Sequence, residues 1–230
     1  MCSPPEANPK PARAADARAA SVVTRLRAAG CVFAEDEARL LLAAARSPAE
    51  LDRLLQRRLS GFPLEHILGW AEFCGIRIAV GPGVFVPRRR TEFLVRHAIA
   101  IAHAADQGTP VVLDLCCGSG AVGAAMAQAL NPPAPGRPGA GIELFSSDID
   151  PAAVRFARRN IEPVGQVFEG DLYSALPAEL AGRVSILVAN APYVPTDAIG
   201  TMPPEARLHE ASVALDGGED GLDVQRRIAA

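Results

Sequence analysis

The sequence has 230 residues, of which 49% are hydrophobic and 21% are charged, so it is long enough for one domain and a smaller second one. The formal net charge of −3 argues against a protein that binds bare nucleic-acid backbone, and the five cysteines show no paired spacing for zinc. We interpret the cysteines as reduced thiols in a cytoplasmic protein. No apolar run approaches the roughly 18 residues of a membrane span, so we expect no membrane partner.

The first part of the chain is predicted to be a small helical domain, residues 1–62. Residues 1–11 are rich in proline and lack the apolar run of a secretory signal, so we expect them to be disordered. Three short amphipathic helices follow. They cover Ala12–Ala29, Glu35–Ala45 and Ser47 to about Leu59. Ser47 and Glu50 have the spacing of a capping box. This domain is either a packing cap on the larger domain or a recognition module for a macromolecular substrate.

A linker, residues 63–90, joins this domain to the rest of the chain. Pro63 and Gly69 break any helix. Phe73–Val80 alternates loosely between apolar and polar residues, Gly81–Gly83 is a turn sequence, and Val84–Val86 is apolar again. The pattern predicts a β-hairpin whose turn is Gly81–Gly83.

Three consecutive arginines, Arg88, Arg89 and Arg90, follow the predicted hairpin. A helix is predicted to begin just after them, at Thr91–Glu92, and to open the third part of the chain, residues 91–230. Such a run is usually a solvated charge run. An arginine beside a ligand site can instead hold a carboxylate or phosphate through two parallel hydrogen bonds.

An apolar run at Val111–Leu115 is typical of a buried parallel strand, and a glycine turn and an alanine-rich helix follow it. Gly118 and Gly120 let a ligand approach the backbone where a Cβ atom would block it. By itself the segment indicates either a ligand-binding turn or a tight strand-to-helix turn without a ligand.

Three further strands are predicted to alternate with helices, which indicates a parallel sheet with right-handed crossovers. They cover Gly141–Ser147, Gln166–Phe168 and Val184–Val188. A loop is predicted over Pro132–Gly141, and Asp150 and Pro151 have the order of an N-cap and a first helical residue.

The polar residues that follow these strands are expected to meet at one edge of the sheet, together with the glycine turn. Asp148 can accept hydrogen bonds from ribose hydroxyls, although an aspartate there can also be a simple capping residue. Asp171 can face an adenine amino group, and Asn190 follows the last strand. The convergence of four strand ends predicts a cleft for a nucleoside-bearing cofactor.

At Asn190–Tyr193 the chain resembles class I S-adenosylmethionine-dependent methyltransferases that modify an amide or an exocyclic amine. The closest resemblance is to the HemK/PrmC-type protein-(glutamine-N5) methyltransferases, and it extends from about Ala12 to the end of the chain. The matching segments are Pro63–Gly69, Glu72–Phe73, Val86–Arg88 with Thr91–Glu92, Asp114–Gly120, Asn190–Tyr193, Pro204–Arg207 and Ala214–Leu222. The resemblance implies a Rossmann-like α/β sheet and a helical N-terminal domain that helps to recognise a protein substrate.

The resemblance also implies the cofactor, S-adenosylmethionine, and a set of residues that bind it. These are Asp114, Cys116, Cys117, Gly118, Ser119, Gly120, Asp148, Asp171, Leu172 and Asn190. The residues implied to hold the substrate amide are Asn190, Ala191, Pro192 and Tyr193. An amide nitrogen is a poor nucleophile, and two acceptors on its N–H bonds, the Asn190 side-chain oxygen and the Ala191 carbonyl, can orient it towards the methyl group. The transfer itself requires no metal and no general base.

Two departures from the family pattern leave the substrate open. Ala191 stands where the family usually has a first proline, so its φ is not fixed by a ring. Arg90 stands where the family has an acidic residue, which reverses the charge near the predicted substrate entrance. The lead hypothesis is methylation of a glutamine in a protein such as a peptide-chain release factor. The alternatives are methylation of an exocyclic amine in DNA or RNA, which the acidic balance disfavours, and an inactive cofactor-binding module. We expect no nucleic-acid partner except through a ribosome-associated substrate.

The resemblance implies a seven-stranded sheet, whereas the sequence to Ala230 accounts for four of its strands. We therefore expect a methyltransferase domain without its C-terminal strands, whose fourth strand is an apolar edge that favours aggregation. A truncated chain, an incomplete gene product or a partner that covers this edge would each account for the difference.

Overall fold

The computed structural model describes residues 11–104, 108–131, 141–162 and 164–230, without the side chains of residues 11–15. Disorder was predicted for residues 1–11 and a loop for Pro132–Gly141, and residues 1–10 and 132–140 of these segments lie outside the described residues. Pro11 is the first residue of a helix, which contradicts the predicted disorder at that position. The chain divides into two compact units, Met1–Leu68 and Gly69–Ala230. The three-part division at residues 62 and 90 stays a prediction.

The first unit consists of helices, and the three that the sequence predicts are all present. They are α1 (Pro11–Ala28), α2 (Ala34–Ala44) and α3 (Pro48–Leu59). Their apolar faces meet around Leu26, Leu41 and Leu55, which have no exposed surface. The Ser47 hydroxyl accepts a hydrogen bond from the Glu50 nitrogen at 3.1 Å, which is the N-cap half of the predicted capping box. The Glu50 carboxylate accepts from the Arg46 nitrogen at 2.8 Å instead of from Ser47.

A fourth short helix, α4 (Leu64–Leu68), lies between Pro63 and Gly69 and was not predicted from the sequence. No helix runs through either of these two residues, as expected. Pro63 precedes the first helical residue, where proline is tolerated, and Gly69 lies just beyond the last one with a φ of 81°. The two residues therefore bound this short helix.

The linker contains a hairpin, but neither its strands nor its turn are the predicted ones. Strands β1 (Trp70–Phe73) and β2 (Ile76–Ala79) pair antiparallel, and Cys74 and Gly75 connect them with φ values of 50° and 75°. The predicted first strand, Phe73–Val80, spans this turn, and Val84–Val86 is not a strand. Positive φ at both central residues is the geometry of a two-residue hairpin turn that matches the twist of its strands. The glycine at 83, predicted to be in the turn, instead donates from its nitrogen to the His209 carbonyl at 3.1 Å.

The second unit is built on a parallel four-stranded sheet, as predicted. Its strands are β3 (Val111–Leu115), β4 (Glu143–Asp148), β5 (Gly165–Glu169) and β6 (Ile186–Ala189). They lie in the order β5–β4–β3–β6, so the first of them is central. The helices are α5 (Glu92–Ala104), α6 (Ala121–Leu130), α7 (Pro151–Ile161), α8 (Pro204–His209) and α9 (Asp223–Ala229).

The core lies on both faces of this sheet because successive residues of a strand point to opposite sides. Val112 packs with residues of α5, α6 and α7, and its neighbours Val111 and Leu113 belong to a second apolar cluster. Within the described residues β6 is an edge of the sheet, and 40% of Leu187 is exposed there. No helix in the described ranges is long and apolar enough to cross a bilayer.

Candidate active site

A cavity lies at the carboxyl ends of the parallel strands, where ligands of open α/β sheets bind. It collects nearly all the residues that the sequence predicts for the site. The predicted residues that line it are Asp114, Cys116, Cys117, Gly118, Ser119, Asp148, Asp171, Leu172, Asn190, Ala191, Pro192 and Tyr193. Gly120 is the one predicted site residue that does not line this cavity.

The glycine turn after β3 takes an unusual backbone path. Cys116, Gly118 and Gly120 all have positive φ, at 53°, 56° and 75°. The Cys117 nitrogen donates to the Ser147 carbonyl at 3.1 Å, which fixes the turn to the neighbouring strand β4. A non-glycine residue with positive φ is strained, and such strain is commonly found at functional sites. Leu172, three residues beyond the end of β5, also has positive φ, at 47°.

The two predicted ligand-facing glycines differ in their surroundings. A Cβ atom on Gly118 would meet nothing within 4 Å, so this glycine keeps the backbone open to the cavity. A Cβ atom on Gly120 would lie 2.8 Å from Ile161 and 3.1 Å from the backbone of Ala157. The absence of a side chain at Gly120 is therefore explained by the close approach of α7, not by the cavity.

Asp148 is held by backbone hydrogen bonds on both of its carboxylate oxygens. Oδ2 accepts from the Gly118 nitrogen at 2.7 Å, and Oδ1 accepts from the Asp150 nitrogen at 2.9 Å. Burial raises the pKa of the Asp148 carboxyl, and the backbone hydrogen bonds oppose that rise. Each carboxylate oxygen has a second lone pair, so Asp148 can still accept hydrogen bonds from a ligand.

Asp114 lies deeper, with 1% of its surface exposed. Its Oδ2 accepts a hydrogen bond from the Gly123 nitrogen at 3.0 Å. The pKa of Asp114 is raised to about 7, because burial and, less strongly, the charge of Asp148 raise it by more than the Gly123 hydrogen bond lowers it. Asp114 is thus a buried acid whose charge changes near neutral pH.

The two cysteines of the turn are not nucleophiles. Burial raises the pKa of the Cys116 thiol to about 12, and the carboxylates of Asp148 and Asp114 add to the rise. Burial likewise raises the pKa of Cys117. Because the thiolate is the reactive form, both side chains act as neutral lining of the cavity.

The Asn190 turn follows β6 directly and presents polar groups to the same cavity. Among the described residues, the Asn190 side chain has no hydrogen-bond partner, so its oxygen and nitrogen are available to a ligand. Ala191 is 5% exposed, whereas Tyr193 is 43% exposed and covers the outer side of the turn.

The later segment Ala214–Leu222 packs against the end of this turn through backbone hydrogen bonds. The Val194 nitrogen donates to the Leu215 carbonyl at 3.0 Å, and the Gly217 nitrogen donates to the Val194 carbonyl at 2.9 Å. A Cβ atom on Gly221 would lie 2.5 Å from the Tyr193 carbonyl oxygen. The glycines in Ala214–Leu222 therefore allow two backbone segments to pack at close distance.

Sequence reasoning missed three residues of the site. Ile149 follows Asp148 and exposes half of its apolar surface at the cavity. Asn160 on α7 donates to the Ser119 carbonyl at 2.8 Å and so supports the glycine turn. Arg227 on α9 pairs with Asp171 at 2.6 Å, which engages the carboxylate expected to face adenine. Only Ile149, by its place after a strand-end acid, had a signal in the sequence.

The three consecutive arginines, Arg88 to Arg90, lie in three different environments. Arg88 donates to both carboxylate oxygens of Glu210, at 2.6 and 2.8 Å. Arg89 is exposed and does not line the cavity. Arg90 lines the cavity, donates a hydrogen bond to the Tyr193 hydroxyl, and holds its guanidinium carbon 5.5 Å from the centre of that ring.

Three features define a class I methyltransferase fold. They are the central strand β3, the glycine turn after it and the acidic residue at the end of β4. The family model described as "Methyltransferase small domain" matches residues 76–221, which is more than half of the chain. The chain belongs to this methyltransferase family, and its predicted fold class is confirmed.

Relatives with curated names agree with this assignment. The chain is 41% identical over 174 residues to a release factor glutamine methyltransferase of Streptomyces coelicolor, and the match covers 75% of this chain and 58% of the relative. A second protein of that name, from Geobacter sulfurreducens, is 40% identical over 76% of this chain and 57% of its own length. The matches confirm the resemblance to the HemK/PrmC-type enzymes. The chain spans less than two thirds of the length of these two relatives.

A third relative has a different name. It is the 4-amino-L-phenylalanine/4-methylamino-L-phenylalanine methyltransferase of Streptomyces pristinaespiralis, 39% identical over 215 residues. The match covers 91% of this chain and 70% of the relative. Similarity over this length therefore extends to enzymes whose names give different methyl acceptors.

S-adenosylmethionine is the cofactor of this family, as predicted, and the cavity fits it. Gly118 leaves the turn backbone open, and the buried carboxyl of Asp114 and the half-buried carboxylate of Asp148 suit a ligand that carries positive charge and hydroxyl donors. Ile149 offers an exposed apolar surface beside them that suits a flat base. The individual roles predicted for these residues stay predictions.

Proposed function

We propose that this protein transfers a methyl group from S-adenosylmethionine to a planar nitrogen, and that its acceptor is the side-chain amide of a glutamine in a protein such as a peptide-chain release factor. The observation that carries the proposal is the Asn190 turn, whose side chain has no hydrogen-bond partner in the described part of the chain and lines the same cavity as Asp148. The names of the relatives from Streptomyces coelicolor and Geobacter sulfurreducens support it.

The chemistry that this turn offers is positioning. The Asn190 side-chain oxygen and the Ala191 carbonyl can each accept one N–H of a planar –NH₂ group, which points the nitrogen towards the methyl group. The same two dipoles stabilise the positive charge that the nitrogen gains in the transition state. S-adenosylmethionine, when bound, supplies an electrophilic sulfonium methyl group. The exposed ring of Tyr193 forms a flat wall beside the acceptor.

A second candidate acceptor is the aromatic amine of an amino acid. An arylamine also has a planar nitrogen with two N–H bonds, so the same pair of acceptors serves it. The relative from Streptomyces pristinaespiralis, which matches 91% of this chain, supports this candidate. An exocyclic amine of nucleic acid has the same geometry, but the net charge of −3 disfavours a polyanionic partner.

We further propose that the helical unit recognises a protein substrate and that the protein is cytoplasmic. Val32 and Phe33, between α1 and α2, are large apolar residues with most of their surface exposed, as is common at interaction sites. Cys74, Cys116 and Cys117 are free thiols, which is typical of a reducing compartment. Serine at both Val32 and Phe33 should weaken methylation of a whole protein but not of a short peptide.

The test is methyl transfer from isotope-labelled S-adenosylmethionine to purified release factors, to an arylamine amino acid and to oligonucleotides. Mass spectrometry of the product then gives the modified atom. Label on a glutamine side chain supports the first acceptor, and label on the aromatic amine supports the second. If the protein binds the cofactor and labels none of these acceptors, the proposed function is wrong.

A further inference from the structure

The charges that line the cavity are unevenly distributed. Its carboxylates belong to β3, to the end of β4 and to the segments that follow β4 and β5. They are Asp114, Asp148, Asp150 and Asp171. The Asn190 turn, where the methyl acceptor is proposed to lie, contributes no charged group of its own. The acceptor side of the cavity therefore takes its charge from the arginines beside it.

Among the described residues that line the cavity, three are arginines, and two of them are paired with acids. Arg88 pairs with Glu210 at 2.6 Å, and Arg227 pairs with Asp171 at 2.6 Å. Arg90 has no carboxylate within 4.0 Å in the described part of the chain. Its guanidinium lies instead over the ring of Tyr193 and donates to the hydroxyl of that residue.

This contact holds Arg90 in place without neutralising it. A guanidinium has five N–H donors in a rigid fork, and the tyrosine hydroxyl takes one of them. The remaining donors have the geometry for two parallel hydrogen bonds to a carboxylate. Because Tyr193 is the last residue of the acceptor turn Asn190–Tyr193, the fork is fixed next to the place where the acceptor nitrogen is proposed to lie.

We propose that Arg90 binds a carboxylate of the methyl acceptor and so selects acceptors that carry an anionic group close to the methylated nitrogen. The inference rests on the proposed function and makes its substrate class more specific. Arg90 is exposed, so solvent screens its charge when no acceptor is bound. An acceptor carboxylate gains two directional hydrogen bonds to its guanidinium, whereas a neutral acceptor gains none.

The carboxylate has two chemical sources, which paired acceptors separate. One pair is a glutamine peptide with glutamates beside the glutamine and the same peptide with serines there. The other pair is an arylamine amino acid and its carboxamide. In each pair the methylated nitrogen is unchanged and only the anionic group is removed.

The variant is Arg90→Glu, and Arg89→Glu is its matched control, because it makes the same charge change on an exposed neighbour that does not line the cavity. Arg90→Lys keeps the charge and loses the fork. KM and kcat are measured for the full chain with all four acceptors. Binding of S-adenosylhomocysteine, measured by calorimetry, shows that each variant retains its cofactor site.

For Arg90→Glu we expect KM to rise about tenfold or more for a carboxylate-bearing acceptor, with kcat little changed, since tenfold corresponds to about 1.4 kcal/mol. Arg90→Lys should lie between this variant and the wild type. KM for the neutral acceptors should not rise, and Arg89→Glu should match the wild type. The pair in which the wild type prefers the anionic member identifies the source of the carboxylate.

Two results would overturn the assignment of Arg90 alone. They are equal KM values of the wild type for anionic and neutral acceptors, and equal effects of Arg90→Glu and Arg89→Glu. If the wild type binds S-adenosylhomocysteine but methylates none of the four acceptors, the proposed function fails, and the role of Arg90 fails with it.

Discussion

The carboxylate of Asp148 accepts a hydrogen bond from the backbone nitrogen of Gly118 at 2.7 Å, which joins the end of the second parallel strand to the glycine turn after the first. The other carboxylate oxygen accepts from the Asp150 nitrogen at 2.9 Å. Asp148 therefore both shapes the turn and presents its remaining lone pairs to the cavity.

Asp148→Asn should weaken cofactor binding. An amide has one acceptor oxygen, so one of the two backbone hydrogen bonds to this side chain is lost. The backbone N–H group that made it then faces the NH₂ group of the amide, which is also a donor. A hydrogen bond to a charged group contributes about 1.5–3 kcal/mol, so we expect the affinity for S-adenosylhomocysteine to fall about tenfold to a hundredfold. Calorimetry measures it. Asp197→Asn, at an exposed aspartate outside the cavity, should leave the affinity unchanged.

Alanine at Gly118 and at Gly120 should have different effects, although both residues have positive φ. Both variants are strained by about 1–2 kcal/mol. Gly120→Ala adds a clash with Ile161 and Ala157, so it should lower the free energy of unfolding further. Gly118→Ala points a methyl group into the cavity and should chiefly lower cofactor affinity. Equal losses of stability and of affinity in the two variants would show that this division of roles is wrong.

Gly221→Ala should disturb the acceptor turn, because its Cβ atom would lie 2.5 Å from the Tyr193 carbonyl oxygen. Gly182→Ala is a close control. Its φ is 75° against 78° at Gly221, and its Cβ atom would meet nothing within 4 Å. We expect Gly221→Ala to reduce methyl transfer and thermal stability well beyond the control, and indistinguishable variants would contradict the role of this segment.

The pKa of Asp114 predicts a pH-dependent stability. The folded protein keeps this proton up to a pH of about 7, whereas the unfolded chain releases it near its ordinary value of 3.8. Folding therefore loses stability as the pH rises between these values, by about 1.4 kcal/mol for each pKa unit. The stabilisation that Asp114 contributes is complete only below a pH of about 3.8.

Asp114→Asn removes this titration and keeps an oxygen that can accept from the Gly123 nitrogen. Compared with the wild type, the variant should gain stability as the pH rises from about 4 to 7 and should be the more stable protein at pH 8. Denaturant unfolding without cofactor measures the difference. The fluorescence of Trp70, the sole tryptophan of the sequence, reports on the second unit. A difference that does not vary with pH would rule out this role for Asp114.

The parallel sheet and most of the cavity were predictable from the sequence because a parallel topology brings all strand ends to one edge. Once Asp148, Asp171 and Asn190 were placed after strands, their convergence followed without any knowledge of side-chain contacts. The hairpin turn was not predicted correctly, because Gly81–Gly83 is a stronger turn sequence than Cys74–Gly75. The structure uses Gly83 to pair with the distant residue His209.

The contacts that refine the site join residues far apart in the sequence, which local patterns do not predict. Asn160 binds the backbone of Ala79, 81 residues earlier, and Arg227 pairs with Asp171, 56 residues earlier. Each of these polar residues lies on the exposed-looking face of a helix when the sequence is considered alone. Their partners become evident only when the helices are packed on the sheet.

The central claim is that the Asn190 turn orients the nitrogen that is methylated. The most direct test is the rate of labelled methyl transfer by Asn190→Ala, measured together with its affinity for S-adenosylhomocysteine. Loss of one aimed dipole at a reacting centre typically costs about 100-fold or more in rate, so we expect such a fall with cofactor affinity retained. A variant that binds the cofactor and transfers methyl groups within a few-fold of the wild-type rate would contradict the claim.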